Sequence, residues 1–208
     1  MNKTISQLGQ DVWVIEQTKN KRDGYFVEIG AHNGEKLSNT YLLEKEYGWS
    51  GICAECNPDE TADLADSRNC SIETRALMHK SGMEVPFYSH KDDTTLSGVT
   101  LSGYAAVGDG AGNVSQTAAQ YTLTTVDINT MLNEHNAPTD IDYISIDTEG
   151  TEMFIVSVFD FQKYNVKYWT IEVNKDPQAT SYLQRFFYCH GYKSEVRDWD
   201  LFVWREDD

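Results

Sequence analysis

Short apolar runs alternate along this chain with segments whose apolar residues recur at helical spacing. Two such runs, residues 25–30 and 50–55, are each followed by a segment with helical periodicity. Buried parallel strands read as nearly continuous apolar runs, and strands that alternate with helices form a mostly parallel sheet with helices on both faces. The pattern therefore predicts an α/β fold.

The same alternation continues to the end of the sequence. Further strands are predicted at residues 71–77, 84–89, 121–126, 141–147 and 166–174, followed by a terminal antiparallel pair at 192–196 and 200–204. Helices are predicted at 12–17, 36–47, 60–66, 127–134, 150–158 and 177–190. The apolar strand pattern and the intervening helices indicate one doubly covered sheet.

One long stretch, residues 91–120, shows neither periodicity. It is rich in Gly, Ser, Thr and Ala. Irregular segments of this length in a compact domain are usually functional or disordered. We interpret it as a substrate-facing flap, with a merely mobile loop as the alternative.

Length and charge limit the classes of function. A chain of 208 residues with 40% hydrophobic residues is typical of a single globular domain, taken here as residues 1–208. It has no apolar run of membrane-spanning length, and its polar N-terminus does not resemble a secretory signal, so we expect a cytoplasmic protein. The net charge of −16 argues against nucleic acid and anionic membranes as partners, because both attract cationic surfaces.

The turn after the first strand contains the first candidate binding residues. Gly30 and Gly34 form a Gly-x-x-x-Gly pattern between a strand and a helix. Glycine lets the backbone approach a ligand closely because it has no Cβ. A dinucleotide site favours Gly-x-Gly-x-x-Gly, whereas this chain has His32 at the middle position. This difference from the dinucleotide-binding pattern argues against NAD as the ligand.

Two carboxylates accompany this turn. Glu55 ends the next strand about 20 residues later, where an acidic side chain can accept hydrogen bonds from the hydroxyls of a ribose. Glu28 lies within the first apolar strand, and a carboxylate there is costly unless it is paired. The ammonium and sulfonium groups of S-adenosylmethionine would supply a cationic partner, and an internally hydrogen-bonded Glu is the alternative.

Several segments together resemble the FkbM family of methyltransferases. They are GYFVEIGAHNG at 24–34, LSNT at 37–40, GWSGICAECNP at 48–58 and ISIDTEGTE at 144–152, with Ser6, Gln7, Gly9 and Asp11 similar to the N-terminal signature of the family. The family commonly has Asp where this chain has Glu28. The change keeps the negative charge and alters how far the side chain extends.

The resemblance implies a Rossmann-like class I methyltransferase fold, with a seven-stranded, mostly parallel sheet and a C-terminal antiparallel hairpin. It also implies S-adenosylmethionine as the cofactor. By analogy Glu28, Gly30, Ala31 and Gly34 line the methionine part, Asn33 and Asp147 also bind the cofactor, Glu55 holds the ribose, and Arg75 with Ala76 lies near the adenine.

Polar residues at strand ends are the candidates for catalysis. Asp147 and Glu172 are the predicted catalytic acids or bases, and His32 in the glycine turn is either a proton shuttle or a residue that bonds only the backbone. Asp147, Glu172 and Asn174 form a candidate Mg²⁺ site, since Mg²⁺ prefers oxygen ligands. Alternatively, Asp147 binds the cofactor or caps the next helix.

The expected function is methylation, with S-adenosylmethionine, of an oxygen on a sugar or other small hydroxylated substrate. The expected partner is therefore a small-molecule or glycan acceptor. A nicotinamide-dependent oxidoreductase of similar fold and a catalytically silent cofactor-binding protein are the two alternatives.

Overall fold

The structure, a computed structural model, describes residues 4–90, 94–99 and 118–206. The helices are α1 Gln10–Gln17, α2 Tyr41–Tyr47, α3 Thr61–Ser67, α4 Ile128–Glu134, α5 Glu152–Ser157 and α6 Pro177–Cys189. The strands are β1 Tyr25–Ile29, β2 Ser50–Ala54, β3 Ser71–Glu73, β4 Ala76–Leu77, β5 Glu84–His90, β6 Gly98–Val99, β7 Ala118–Val126, β8 Asp140–Ile146, β9 Asn165–Glu172, β10 Lys193–Arg197 and β11 Asp200–Trp204. None of the helices described is both long and apolar enough to cross a membrane.

Seven strands form the main sheet in the order β10-β11-β9-β8-β1-β2-β3. The neighbours from β9 to β3 pair in parallel, and β11 is antiparallel to both β9 and β10. This arrangement confirms the predicted seven-stranded sheet with its C-terminal hairpin. Because β1 lies between β8 and β2, the carboxyl ends of these strands meet along one edge.

Helices cover both faces of the main sheet. Residues from α1, α2 and α3 pack with Phe26 and Tyr143 in one hydrophobic cluster. Residues from α4, α5 and α6 pack with Val27 and Ile144 in the other. Successive strand residues point to opposite faces, so each strand supplies both cores. This double burial explains why the strands read as continuous apolar runs.

A second sheet was not expected. It has four strands in the order β4-β7-β5-β6, and it takes up the strands predicted at 84–89 and 121–126. The strand predicted at 71–77 is divided between the two sheets, with β3 in the main sheet and β4 in the second. The break has a local cause, since the Glu73 carboxylate accepts hydrogen bonds from both the backbone amide and the guanidinium of Arg75. The chain therefore turns between the two strands.

The helix predicted at 36–47 begins later than expected, at Tyr41. Before it, the Ser38 hydroxyl accepts hydrogen bonds from the amides of Thr40 and Tyr41. This local bonding of a side chain to the backbone competes with helix formation. The three residues before α2 therefore stay outside the helix, and their side chains can contact the strands of the main sheet.

The predicted flap at 91–120 lies mostly outside the described residues. Of that stretch, 94–99 and 118–120 are described; they form a 3₁₀ turn at Thr94–Leu96, strand β6 and the start of β7. Thr94, Thr95, Ser97 and Val99 line the cavity described below. A role of the whole stretch in covering the substrate stays a prediction.

Candidate functional site

A cavity of about 420 Å³ lies at the carboxyl ends of the central parallel strands. It is of the size that small-molecule sites usually have, about 300–1,000 Å³. The predicted site residues that line it are Glu28, Gly30, Ala31, His32, Glu55, Arg75, Ala76, Asp147, Glu172 and Asn174. Asn33 and Gly34 do not belong to this lining. The structure thus brings most of the predicted residues together.

Strained backbone is concentrated around this cavity. Five of its lining residues have positive φ although they are not glycine: His32, Leu37, Glu149, Asn174 and Lys175. Such conformations are costly and persist where the surrounding structure enforces them, often at functional sites. The backbone geometry therefore points to the same cavity as the sequence motifs.

The two glycines of the first turn are needed for packing. A Cβ on Gly30 would overlap the backbone carbonyl oxygen of Asp147, and a Cβ on Gly34 would collide with the side chains of Leu64 and Arg68. Both residues also have positive φ. The turn therefore fits closely between β8 and α3, and close approach of a ligand to it stays a prediction.

Asn33 and Gly34 have structural roles in the turn, and their predicted contact with the cofactor stays a prediction. The Asn33 side-chain oxygen accepts hydrogen bonds from the amides of Glu35 and Lys36, at 3.1 and 2.9 Å. Its backbone oxygen accepts from the hydroxyl of Ser67. The side-chain bonds fix the turn itself, and the bond from Ser67 holds it against α3.

Glu55 lies directly beside the glycine turn. One carboxylate oxygen accepts the His32 amide at 2.8 Å, and the other accepts the Asn57 amide at 2.7 Å. Burial raises the pKa of the Glu55 carboxyl, and these two hydrogen bonds oppose the rise. The expected proximity of Glu55 to the turn is confirmed, while its bond to a ribose stays a prediction.

Glu28 has a protein cation as its partner. Its carboxylate accepts hydrogen bonds from the hydroxyls of Ser38 and Thr40 and from the amide of Asn39. The guanidinium of Arg68 lies 3.3 Å away and is fully buried. These partners satisfy the buried charge, and Arg68 supplies a cation from within the protein. A contact of Glu28 with the cofactor stays a prediction. The internal hydrogen-bonding role fits this geometry.

A second group of carboxylates lies at the ends of β8 and β9. Asp147, Glu149 and Glu172 each offer an oxygen, and these oxygens lie within 4.8 Å of one another. Burial, followed by the charges of neighbouring carboxylates, raises the pKa of both Asp147 and Glu172 well above the usual range. Like charges held this close favour either protonation or a bound cation. The cluster is therefore suited to a cationic ligand or to proton transfer.

Glu149 joins two of the predicted metal ligands in this cluster. Asn174 donates its side-chain N–H to Glu172 at 3.0 Å and so orients that carboxylate. Its place as a metal ligand stays a prediction. Since Glu149 and Asn174 both have left-handed backbone, their side-chain directions could not be inferred from strand periodicity.

Asp200 extends the acidic region behind Glu172. The two residues are opposite each other on β11 and β9, and Asp200 accepts a hydrogen bond from Gln10 at 2.7 Å. Burial chiefly raises the pKa of Asp200 to about 6; the charge of Glu152 adds to the rise and the bond from Gln10 opposes it. The sequence analysis did not single out this residue, because it is far from the motifs in the chain.

The titration of Asp200 leads to a pH-dependent prediction. In the unfolded chain an Asp titrates near pH 3.9, so the raised pKa of about 6 means that the folded state holds its proton more tightly. This stabilisation is complete below about pH 4 and is lost as the pH rises through about 6. We expect Asp200→Asn to raise the free energy of unfolding at pH 8 by on the order of 1–3 kcal/mol, with little change near pH 4.

Urea unfolding at the two pH values measures this effect. The exposed Asp198, two residues away, supplies a control, and Asp198→Asn should leave the pH dependence unchanged. A loss of stability in Asp200→Asn at pH 8 would show that the charged form of Asp200 is the stabilising one.

The opposite wall of the cavity is more apolar. Ala76, Phe87 and Val99 belong to one hydrophobic cluster of the second sheet and line the cavity. Arg75 also lines it, although its guanidinium is held by Glu73 and Glu134 at 2.6 and 2.5 Å. Sequence reasoning found Arg75 and Ala76 but missed Phe87 and Val99, because nothing in the primary sequence shows that the second sheet reaches this edge. The place of Arg75 and Ala76 near an adenine stays a prediction.

The ring of His32 connects the glycine turn to the 3₁₀ turn at Thr94–Leu96. Its Nε2 lies 2.8 Å from the Thr94 hydroxyl and 3.5 Å from a carboxylate oxygen of Glu60. Its backbone amide donates to Glu55. The ring therefore bonds side chains rather than the backbone, and its role as a proton shuttle stays a prediction.

Comparisons with known proteins agree with this geometry. Residues 28–204 match the family model described as the methyltransferase FkbM domain. The fold is similar to that of precorrin-6y C5,15-methyltransferase from Geobacter metallireducens GS-15, with TM-score 0.52 and 12% identity, over 99% of this chain and 92% of that one. It is also similar to the METTL16 MTase domain, with TM-score 0.50 and 12% identity, over 99% of this chain and 71% of that one. No curated protein sequence matches this chain.

Proposed function

Because this chain belongs to the FkbM methyltransferase domain family and is thus an S-adenosylmethionine-dependent methyltransferase, we propose that it methylates an oxygen of a sugar or other small hydroxylated acceptor. The supporting observation is the distribution of carboxylates in one cavity. Glu55 lies on the β2 side of the glycine turn, and Asp147 and Glu172 lie on the β8 and β9 side. One acid is available for a ribose, and the others can accept a proton from a hydroxyl group.

The cofactor would lie across the ends of β1 and β2. S-adenosylmethionine supplies a methyl group that is activated by its sulfonium. Gly30 and Ala31 would hold its methionine part, Glu55 its ribose, and Arg75 with Ala76 the neighbourhood of its adenine. The apolar surface of Phe87 and Val99 suits a flat ring. This orientation directs the reacting end toward Asp147 and Glu172.

The acceptor hydroxyl needs a base, and Asp147 or Glu172 would fill this role. Burial and the charges of neighbouring carboxylates raise the pKa of both groups, which favours their protonated forms. A cationic ligand nearby lowers these pKa values, because opposite charge favours the ionised form. A carboxylate that ionises only when the cationic ligand is bound can then act as a base near neutral pH.

A divalent cation is a further part of the proposal. The three clustered oxygens of Asp147, Glu149 and Glu172 fit the oxygen preference of Mg²⁺. These residues would hold the ion, which would supply charge that lowers the pKa of an acceptor hydroxyl. Asn174 would keep Glu172 oriented through the bond that it donates.

A small acceptor fits this protein better than a nucleic acid. The chain carries a formal charge of −16, which repels a phosphate backbone. A neutral hydroxylated molecule is not repelled in this way, so a sugar or glycan unit is the proposed acceptor.

The choice of cofactor can be measured directly by calorimetry. We expect the protein to bind S-adenosylmethionine and its product S-adenosylhomocysteine, and to show no measurable binding of NAD. The departure of His32 from the dinucleotide pattern is the sequence basis for this expectation. Tight NAD binding without binding of S-adenosylmethionine would contradict the proposed function.

The acceptor can be sought with labelled S-adenosylmethionine and a panel of sugars and small hydroxylated compounds. Transfer of label to an oxygen of one of them is the expected result. Cofactor binding without transfer to any compound would instead favour the catalytically silent binding protein.

A further inference from the structure

A tryptophan, Trp199, lines the cavity with its side chain only partly buried. All five tryptophans of the chain belong to the described residues. Trp13, Trp49 and Trp169 are buried in the core. Trp199 and Trp204 are partly exposed, and of these two Trp199 lines the cavity. Because small-molecule sites are lined by apolar and aromatic side chains, this accessible indole is a candidate for contact with a ligand.

Trp199 lies in the tight turn between β10 and β11, next to the proposed base. Its backbone oxygen accepts the amide of Val173 at 2.8 Å, and Val173 directly follows Glu172. The next residue, Asp200, is opposite Glu172 in the pairing of β11 with β9. The turn is therefore fixed beside the end of β9, so a ligand in contact with the indole can also reach the carboxylate of Glu172.

The order of strands separates Trp199 from the part of the cavity proposed for the cofactor. In the main sheet β11 lies next to β9, whereas Glu55 follows β2 on the other side of β1. A cofactor across the ends of β1 and β2 leaves the ends of β9 and β11 for the acceptor. Trp199 therefore lies on the acceptor side.

The surroundings of the indole suit a sugar ring better than an aromatic acceptor. The face of an aromatic ring carries partial negative charge, which attracts the C–H groups on one face of a pyranose. The hydroxyl groups around a pyranose need hydrogen-bonding partners. Exposed polar side chains line the same cavity, namely Gln7, Lys36, Asn174 and Lys175. A planar aromatic acceptor offers few groups for these side chains to bond.

Lys175 shows that a face of the indole is accessible to a positively polarised group. Its Nζ lies 4.9 Å from the centroid of the Trp199 ring, and both residues line the cavity. Lys175 is exposed, and a cation–π contact at an exposed site is weak. The ammonium also occupies only one of the two ring faces. A pyranose can therefore pack against the other face or displace the ammonium.

We infer that Trp199 binds the acceptor, and that the acceptor is a pyranose whose C–H face packs on the indole while one of its hydroxyl groups reaches Asp147 or Glu172. The inference rests on the proposed function and narrows its acceptor from small hydroxylated molecules in general to sugar rings. Trp199 holds and orients the acceptor and takes no part in proton transfer.

Steady-state kinetics with labelled S-adenosylmethionine test this inference. The probes are the methyl pyranosides of glucose, galactose and mannose, with acyclic glucitol and planar catechol for comparison. We expect transfer to at least one pyranoside in preference to glucitol and catechol. On that pyranoside Trp199→Ala should raise KM by about tenfold, as for the loss of one aromatic contact, with kcat kept within a fewfold. Trp199→Phe keeps an aromatic ring and should restore most of the loss.

Two further measurements distinguish acceptor binding from structural damage. Trp199→Ala should bind S-adenosylhomocysteine with unchanged affinity in calorimetry. Tyr188→Ala removes a ring that is 78% exposed on α6 and should leave KM unchanged. The inference is overturned if Trp199→Ala leaves KM unchanged, or if it weakens S-adenosylhomocysteine as much as the pyranoside.

The choice of acceptor gives separate outcomes. Preference for catechol or glucitol over every pyranoside overturns the inference while the proposed methylation of a hydroxyl group stands. Binding of S-adenosylhomocysteine without transfer to any pyranoside also overturns it. If the unaltered protein does not bind S-adenosylhomocysteine, the proposed function itself fails.

Discussion

Glu172→Gln is expected to reduce the rate of methyl transfer by about 10²–10⁴-fold, the usual contribution of general acid–base catalysis. Glu172 lines the cavity, belongs to the cluster with Asp147 and Glu149, and accepts a hydrogen bond from Asn174. Glutamine has nearly the same shape and can still accept this bond, but it cannot take a proton from a hydroxyl group. The loss should therefore appear in kcat, with binding of S-adenosylhomocysteine kept within a fewfold.

The same variant should gain stability, which separates a catalytic role from a structural one. Burial and neighbouring charges raise the pKa of Glu172, so its stabilising proton is lost as the pH rises toward that value. Glutamine never ionises, and the ligand-free variant should have a Tm at pH 8 equal to or above that of the unaltered protein. A lower Tm together with lost activity would indicate that Glu172 serves the fold.

Two controls define the chemistry of Glu172. Glu195→Gln on the exposed strand β10 should leave kcat unchanged.

Treating the unaltered protein with EDTA tests the metal part of the proposal: activity should fall and return with added Mg²⁺. If EDTA has no effect while Glu172→Gln is inactive, Glu172 acts as a base without an ion.

The second large effect is expected from Gly30→Ala, which should abolish accumulation of folded protein. The new Cβ would overlap the backbone oxygen of Asp147, and backbone cannot move aside as a flexible side chain can. Gly30 is also bonded to β2, since its amide donates to Ala54 at 2.9 Å. Relief of the overlap would have to separate β1 from β8 or from β2, at the centre of the main sheet.

Gly82→Ala is the matched control for this substitution. Gly82 has φ +78°, close to the +86° of Gly30, but a Cβ there meets no atom within 4 Å. Its cost should be limited to backbone strain, about 1 kcal/mol. Urea unfolding, with soluble yield as a second readout, compares the two. Equal stability of the two variants would show that the β1–β8 contact can relax.

Much of the fold could be predicted because its signals are local. Apolar runs and helical spacing depend on neighbouring residues, so they identified every strand of the main sheet and its terminal hairpin. The helix predicted at 127–134 is equally local, and in the structure the Asp127 side chain caps it by accepting the amide of Thr130. Glu55 was found for a related reason, since successive parallel strands bring their carboxyl ends to one edge.

Other contacts could not be predicted because the partner is distant in the chain. The cation beside Glu28 is Arg68, 40 residues later. The turn with Asn33 and Gly34 packs against α3, which begins 27 residues after Gly34. No periodicity within a segment shows which distant side chain will lie against it, so these pairings could not be inferred from motifs.

By itself the sequence determined the α/β class, the order of strands and helices, and the glycine turn with its acidic neighbour at the next strand end. These follow from interactions within a strand, a turn or two consecutive strands. Only the tertiary structure decided that the second sheet supplies Phe87 and Val99 to the cavity, that Asp200 lies behind Glu172, and that Asn39 meets Ser145. The physical reason is that burial and hydrogen-bond satisfaction depend on all the elements that close around a group, which no single segment of the chain specifies.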